Sequence, residues 1–266
     1  MEPKPLDKAS IMAELKTRWL GKTLTILDEC TSTNDEVDKM GEGAAPEGTV
    51  VIAETQQSGR GRFRRRWYSP RGGVWLSVLI RPRASLPFAD SLPLIGALAV
   101  GKVLVQKWGV KAGVRWPNDV VAGGRKIAGI LAESKSRGNN FDYVTLGLGI
   151  NANIDVSEIE PIRGISTSLQ ALVGAPVNRE RLIAAILSEL ESMFESVEAT
   201  GEIAVMQTLR DLDWSRGKHV RVRTADREFE GLFDDYENLD KVRIKTSNGP
   251  EHVRTGTLVS VDYESD

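Results

Sequence analysis

The chain has 266 residues, with 35 Lys and Arg against 37 Asp and Glu, two histidines and one cysteine. This is an ordinary globular composition, long enough for one large domain or for a large and a small one. The lone Cys30 excludes a disulfide framework and a cysteine-clustered zinc site; His219 and His252 both lie late in the chain, so chemistry before them runs without a Ser-His-Asp triad or an HExxH metal site.

The opening MEPKP reads as a loose tail with no apolar run, so no signal peptide is expected. Residues 9–20 are expected as a short helix ended by Gly21, and the β-branched run 23–27 as a strand. Ser32 or Thr33 then caps a short helix with an acidic first turn. Strands are expected over 49–53 and, after a Gly- and Arg-rich loop, over 72–80. Residues 90–108 have the composition of a buried helix. Pro93, Gly96, Gly101 and Lys102 interrupt its apolar run, which falls short of the ~20 residues of a membrane span. Residues 120–121 and 126–131 read as strands joined at Ala122-Gly123-Gly124, and 141–148 as a further strand. Residues 178–198 form the clearest amphipathic helix, with Leu182, Ala185, Ile186, Leu190 and Phe194 at helical spacing and Asn178 as cap. From Trp214 onward HVRVRT, EFEGLF, KVRIKT and TLVSVDY, with turns expected at Gly231 and Asn248-Gly249, suggest five short strands in a small barrel. The expected division is therefore 1–213 and 214–266.

Residues 59–66, GRGRFRRR, carry five arginines in eight positions. Such a run is either a solvated basic loop or one built around an anion: a nucleotide, RNA or an acyl phosphate. Glycines let backbone N–H groups approach, guanidinium forks match phosphate or carboxylate oxygens, and Trp67 offers a face for a ring. Flanking strands favour the second reading. Pro117-Asn118-Asp119 is a turn or a ligand-facing set, and Lys126 is an edge lysine or a pocket cation. Gly21-Lys22-Thr23 lacks the upstream glycine of a P-loop. The GxGxxA spelling at residues 147–152 leads into a poor helix start, which argues against a dinucleotide fingerprint.

Four segments, in order and spacing, resemble the biotin–protein ligases, also called biotin–[acetyl-CoA-carboxylase] ligases. They are STN at 32–34, QQSGRGRFRRRWYSPRGG at 56–73, RWPNDVVAGGRKIAGILAE at 115–133 and GLGINAN at 147–153. The resemblance covers about residues 20–215. It implies an α+β fold: a class II synthetase-like mixed β-sheet flanked by helices, plus a small C-terminal SH3-like β-barrel. It implies a cytoplasmic ligase that condenses biotin and ATP, with Mg²⁺, to biotinyl-5′-AMP and then biotinylates a lysine of a biotin carboxyl carrier domain. Ser32, Thr33, Asn34 and Gln56 match the family's biotin contacts. Arg60, Gly61 and Arg62 match its closing loop, and Lys126 the lysine near the biotin carboxylate and α-phosphate. Trp67, Arg65, Asn118 and Asn151 match the nucleotide side. Asp119 is a candidate for Mg²⁺ or for guiding the amine.

Two departures stand out. Phe63-Arg64 replaces the usual Arg-Gly, and Arg115 stands where Lys usually precedes WPND. Only 31 residues precede Ser32, so a monofunctional ligase without a DNA-binding region is expected. Relatives often pair through their sheets, but the sequence marks no interface for a homodimer. The competing readings are a lipoate ligase or octanoyltransferase, and an RNA-binding module with a basic loop.

Overall fold

The computed structural model describes residues 3–81, 91–137 and 140–261. Seven strands form one mixed sheet: β1 (Leu24–Cys30), β2 (Val50–Gln56), β3 (Val74–Ile80), β4 (Ala112–Arg115), β5 (Asp119–Ala122), β6 (Arg125–Arg137) and β7 (Asn140–Ile150). Their order is β1-β2-β3-β7-β6-β5-β4. β1 and β2 are parallel, bridged by helix α2 (Thr33–Glu42), and every other pair is antiparallel.

Side-chain alternation gives the sheet two unlike faces. Leu76, Val78 and Ile80 of β3, Ala128 and Ile130 of β6, and Leu146, Leu148 and Ile150 of β7 join the main core. That face carries α3 (Leu92–Trp108), α5 (Arg179–Thr200) and α1 (Lys8–Glu14). Gly96 lets α3 settle against the Ile130 side chain. On the opposite face, α2 covers Leu79, Val51 and Tyr143 through Val37. Beyond α2 this face presents Ser77, Gly129, Gly147 and Gly149, and the site lies there.

Several elements differ from expectation. Helix α1 stops at Glu14 because Leu15 is extended (φ −75°, ψ 118°). Farther on, the Glu191 carboxylate takes the backbone N–H groups of Arg18, Trp19 and Leu20 at 2.6, 3.0 and 2.8 Å, which holds that stretch out of a helix. Strand β4 and the helices α4 (Leu169–Val173) and α6 (Ile203–Leu212) had no expected counterpart. The buried helix begins, among the described residues, at Leu92; the expected first residue, Asp90, lies outside them.

The C-terminal strands are β8 (His219–Arg223), β9 (Glu228–Asn238), β10 (Lys241–Thr246), β11 (Gly249–Val253) and β12 (Thr257–Val261). They pair antiparallel in the order β11-β10-β9-β8-β12 around Val220, Val222, Phe233, Val242 and Ile244. Among the described residues β11 and β12 do not pair, so the expected barrel is an open five-stranded sheet; Asp262 and Tyr263 of its expected last strand lie outside the described residues. Gly231 is not a turn but a mid-strand residue of β9, where a Cβ would overlap the Lys245 carbonyl. No helix among the described residues is long and apolar enough to cross a membrane.

Candidate active site

The first wall of the site is the start of α2. Ser32 occupies the cap position without a side-chain capping bond, and Ser32, Thr33 and Asn34 are all buried. Thr33 N donates to Gln56 Oε1 at 2.8 Å, and Gln56 Nε2 donates to Ser69 Oγ at 2.8 Å. Ser77 Oγ lies 2.6 Å from Asn34 Oδ1 and 2.7 Å from Thr33 Oγ1. Asn34 Nδ2 donates to Glu133 Oε2 at 2.5 Å. This polar cluster fits on the sheet because Gly147 has no side chain: a Cβ there would overlap Asn34 Oδ1.

The second wall is the arginine loop. It is folded back on itself rather than splayed into solvent. Gly61 N donates to Arg65 O at 2.7 Å, Trp67 N to Gly59 O at 2.8 Å, and Arg65 N to Arg62 O at 3.2 Å. Phe63 and Arg64 both adopt left-handed backbone, φ 55° and 56°, which a side chain disfavours. Arg60 does not point at open space. Its guanidinium forks onto Asp35 at 2.6 and 3.0 Å and reaches Glu133 at 3.2 Å, and the Asp35 hydrogen bond above all raises its affinity for its proton. Arg62 Nη1 donates to Gly256 O at 2.8 Å, across to the second sheet.

The floor is Trp67. Its ring lies over Gly149 and Gly129, register partners on β7 and β6; a Cβ at Gly149 would come within 2.5 Å of Trp67 Nε1. The indole packs edge-on to Trp75 at 6.3 Å, and its buried Nε1 has no hydrogen-bond partner among the described residues. Lys126 Nζ lies 5.1 Å from the Trp67 ring and pairs with Asp119 Oδ1. Arg115 pairs with the other oxygen, Oδ2, at 2.7 Å. Burial works against ionising Asp119, but Lys126 and Arg115 outweigh it and hold the carboxyl below the usual range. Asn118 Nδ2 donates to Ile130 O and Asn151 Nδ2 to Thr167 O, at 2.7 and 3.0 Å, so both asparagines fasten walls of the site.

The walls and floor enclose one cavity of about 760 Å³. Ser32, Thr33, Asn34, Gln56, Arg60, Gly61, Arg62, Arg65, Trp67, Asn118, Asp119, Lys126 and Asn151 all border it. Asp119, the residue expected to serve Mg²⁺ or the incoming amine, has both oxygens paired with cations, Oδ1 with Lys126 and Oδ2 with Arg115.

Residues 27–151 match the model of the Biotin/lipoate A/B protein ligase family. The Bifunctional ligase/repressor BirA of Bacillus subtilis is 30% identical over 97% of this chain and 80% of its own length. A Biotin–[acetyl-CoA-carboxylase] ligase of Mycobacterium tuberculosis is 31% identical over 96% of each chain. The chain belongs to the biotin protein ligases. The Aquifex aeolicus biotin protein ligase solved with biotin and ATP has the same fold, with a TM-score of 0.79, 24% identity and coverage of 89% of this chain and 98% of that one.

Further residues shape the site, most without a signal at their own positions. Ser77, Asp35 and Glu133 do not line the cavity but hold Asn34 and Arg60, which do. Ile162, Gly164, Ile165 and Ser166 form the rim beside Lys126, tied down by Lys126 N to Ile165 O at 3.0 Å and Thr167 N to Lys126 O at 2.8 Å. Thr257, Leu258 and Val259 bring in the second sheet. Of these only Asp35 carried a local signal, as an acid in the first turn of a helix.

Proposed function

We propose that this ligase condenses biotin with ATP to biotinyl-5′-AMP and pyrophosphate, then passes the biotinyl group to a lysine of a biotin carrier domain. The observation that carries this reading is the joining, in one cavity, of a polar pocket with a Lys126–Asp119–Arg115 charge cluster. Ser32, Thr33, Asn34 and Gln56 supply the donors and acceptors that suit a ureido ring. Trp67, Arg65, Asn118 and Asn151 line the nucleotide side.

The chemistry needs no histidine. A biotin carboxylate is already ionised at neutral pH. Its oxygen attacks the α-phosphorus, the bond to pyrophosphate breaks, and the barrier is the meeting of two anions. Lys126 and Arg115 together exceed the charge of Asp119 by one, leaving net positive charge where the phosphate oxygens gather. In the second step the acceptor amine attacks the acyl carbon and AMP leaves. Asp119, held ionised below the usual carboxylate range, is a weak base and acts by aiming Lys126 and Arg115. Magnesium enters with the phosphates of ATP.

The expected unit 1–213 carries this chemistry, and Thr257, Leu258 and Val259 of the second unit border the cavity. A reducing cytoplasm suits a chain whose one thiol, Cys30, is pushed up to about 11 by burial.

Pyrophosphate release from ATP, measured with biotin and with lipoate, tests this. Release that depends on biotin is expected. Release with lipoate alone would move the protein to the lipoate branch of the family.

A further inference from the structure

Arg62 and Gly256 make a contact between the arginine loop and the second sheet. Gly256 precedes β12, and its carbonyl accepts from Arg62 Nη1 at 2.8 Å. The position is tight. A Cβ on Gly256 would meet Arg223 O at 3.1 Å and Trp116 Cη2 at 3.2 Å. Trp116 is buried and belongs to the turn that carries Asn118 and Asp119. One backbone carbonyl therefore sits where the loop over the cavity, the turn beneath it and the second sheet converge.

The loop needs such an anchor. Two consecutive non-glycine residues, Phe63 and Arg64, hold left-handed backbone, and Phe63 is 68% exposed, so little packing holds the tip. At its root the loop is fixed by Arg60 on Asp35 and Glu133. At its far side Arg62 makes a charge-assisted bond to the Gly256 carbonyl.

We propose that Gly256 is a positioning residue for retention of the activated intermediate. Its carbonyl holds Arg62, and through Arg62 the whole strained turn, against the cavity. The second sheet is in this sense a clasp for the loop. The inference rests on the adenylate-forming reading above. Without the clasp the turn relaxes outward, and the mixed anhydride meets water and stray amines.

The test measures escape of biotinyl-AMP from the full-length protein, as labelling of free lysines on a bystander protein, for wild type, G256A, R62A and the double variant. G256A keeps the carbonyl but sets a Cβ against Arg223 O and Trp116, which shifts it off Arg62, so escape is expected to rise about threefold, short of the about tenfold of losing a whole hydrogen bond to a charged group. The double variant is expected to leak no more than about twofold beyond R62A alone, because Gly256 acts through Arg62. Full additivity of the two, or unchanged retention in G256A, overturns the proposal. Should G256A melt far below wild type, limited trypsin cleavage after Arg64, Arg65 and Arg66 is compared between wild type and R62A, where faster cleavage in R62A is expected and equal cleavage overturns the proposal. A wild type that forms no adenylate from biotin and ATP overturns the functional reading and this inference together; a wild type that forms and retains it, matched by G256A, overturns only the inference.

Discussion

Three glycines decide what the sheet face can hold. Gly147 leaves room for Asn34, and Gly149 and Gly129 leave room for Trp67. In the sequence they look like strand-weakening residues, yet each is the bare spot on which a cavity-lining side chain rests. Gly147→Ala should push Asn34 off Ser77 and Glu133. The expected result is a KM for biotin raised about tenfold, with kcat for the bound complex much less affected; equal KM values would detach Asn34 from the biotin pocket. Lys126→Ala should slow adenylation by about a hundredfold, as for removal of one electrostatic stabiliser, while the melting temperature moves little because Lys126 is a quarter exposed. A fall in stability with normal single-turnover adenylation would make Lys126 structural. The individual residues of the site were legible in the sequence because Trp-Pro-Asn-Asp and Gly-Arg-Gly-Arg are long, ordered strings. Their partners were not: Ser77 sits 43 residues from Asn34, and Glu133 lies 73 residues from Arg60. No local pattern announces a hydrogen bond closed by sheet pairing.

Elements were legible where periodicity or turn chemistry dictated them. Asn178 caps α5 by accepting from Arg181 N at 2.7 Å, and Gly123 and Gly124, φ 54° and 71°, make the hairpin from β5 to β6. They were illegible where a distant group captured the backbone. Residues 15–20 carry helical composition, but the Glu191 carboxylate, 5% exposed on α5, takes three of their N–H groups. Burial opposes ionisation of Glu191, and those three backbone bonds with Arg18 more than offset it, so its carboxyl titrates below the usual range. The linkage follows in sign: its contribution to stability is complete above the unfolded carboxylate range and lost as pH falls through the lowered value. Glu191→Gln should therefore cost about 2 kcal/mol near neutral pH, on the scale of hydrogen bonds to a charged group, and less in acid. Equal losses of stability by denaturant melts at pH 7 and pH 3 would contradict this.

For the whole molecule, the decisive joint is Leu212–Ser215. Asp213 bridges to Val114 of β4, and Trp214 N donates to Val114 O at 3.0 Å, which seats the C-terminal sheet against the edge of the large one. Gly113 makes this possible: a Cβ would stand 2.9 Å from Trp214 Cβ. A four-residue strand of Ala-Gly-Val-Arg gives no sequence signal, because its short run is defined by pairing with β5 and by the bridge from Asp213. The second unit was legible as short alternating strands, but its open edges and its contact with the cavity were not. Burial pushes the Asp213 carboxyl up to about 6, against the pull of the Ser215 and Arg216 N–H groups. A raised carboxyl stabilises the fold below the unfolded value and loses that contribution as pH rises through about 6. Asp213→Asn should thus gain on wild type in melting temperature between pH 4 and pH 7, and a constant difference across that range would contradict the account.

The central claim is that this cavity makes and delivers an activated biotin with cations and backbone in place of a histidine base. Mass analysis of a biotin carrier domain after incubation with the protein, ATP, Mg²⁺ and either biotin or lipoate tests it most directly. The account predicts one biotinyl group on one lysine, dependent on ATP and absent when that lysine is replaced by arginine, and no lipoyl group. An unmodified carrier, or a lipoylated one, would contradict it.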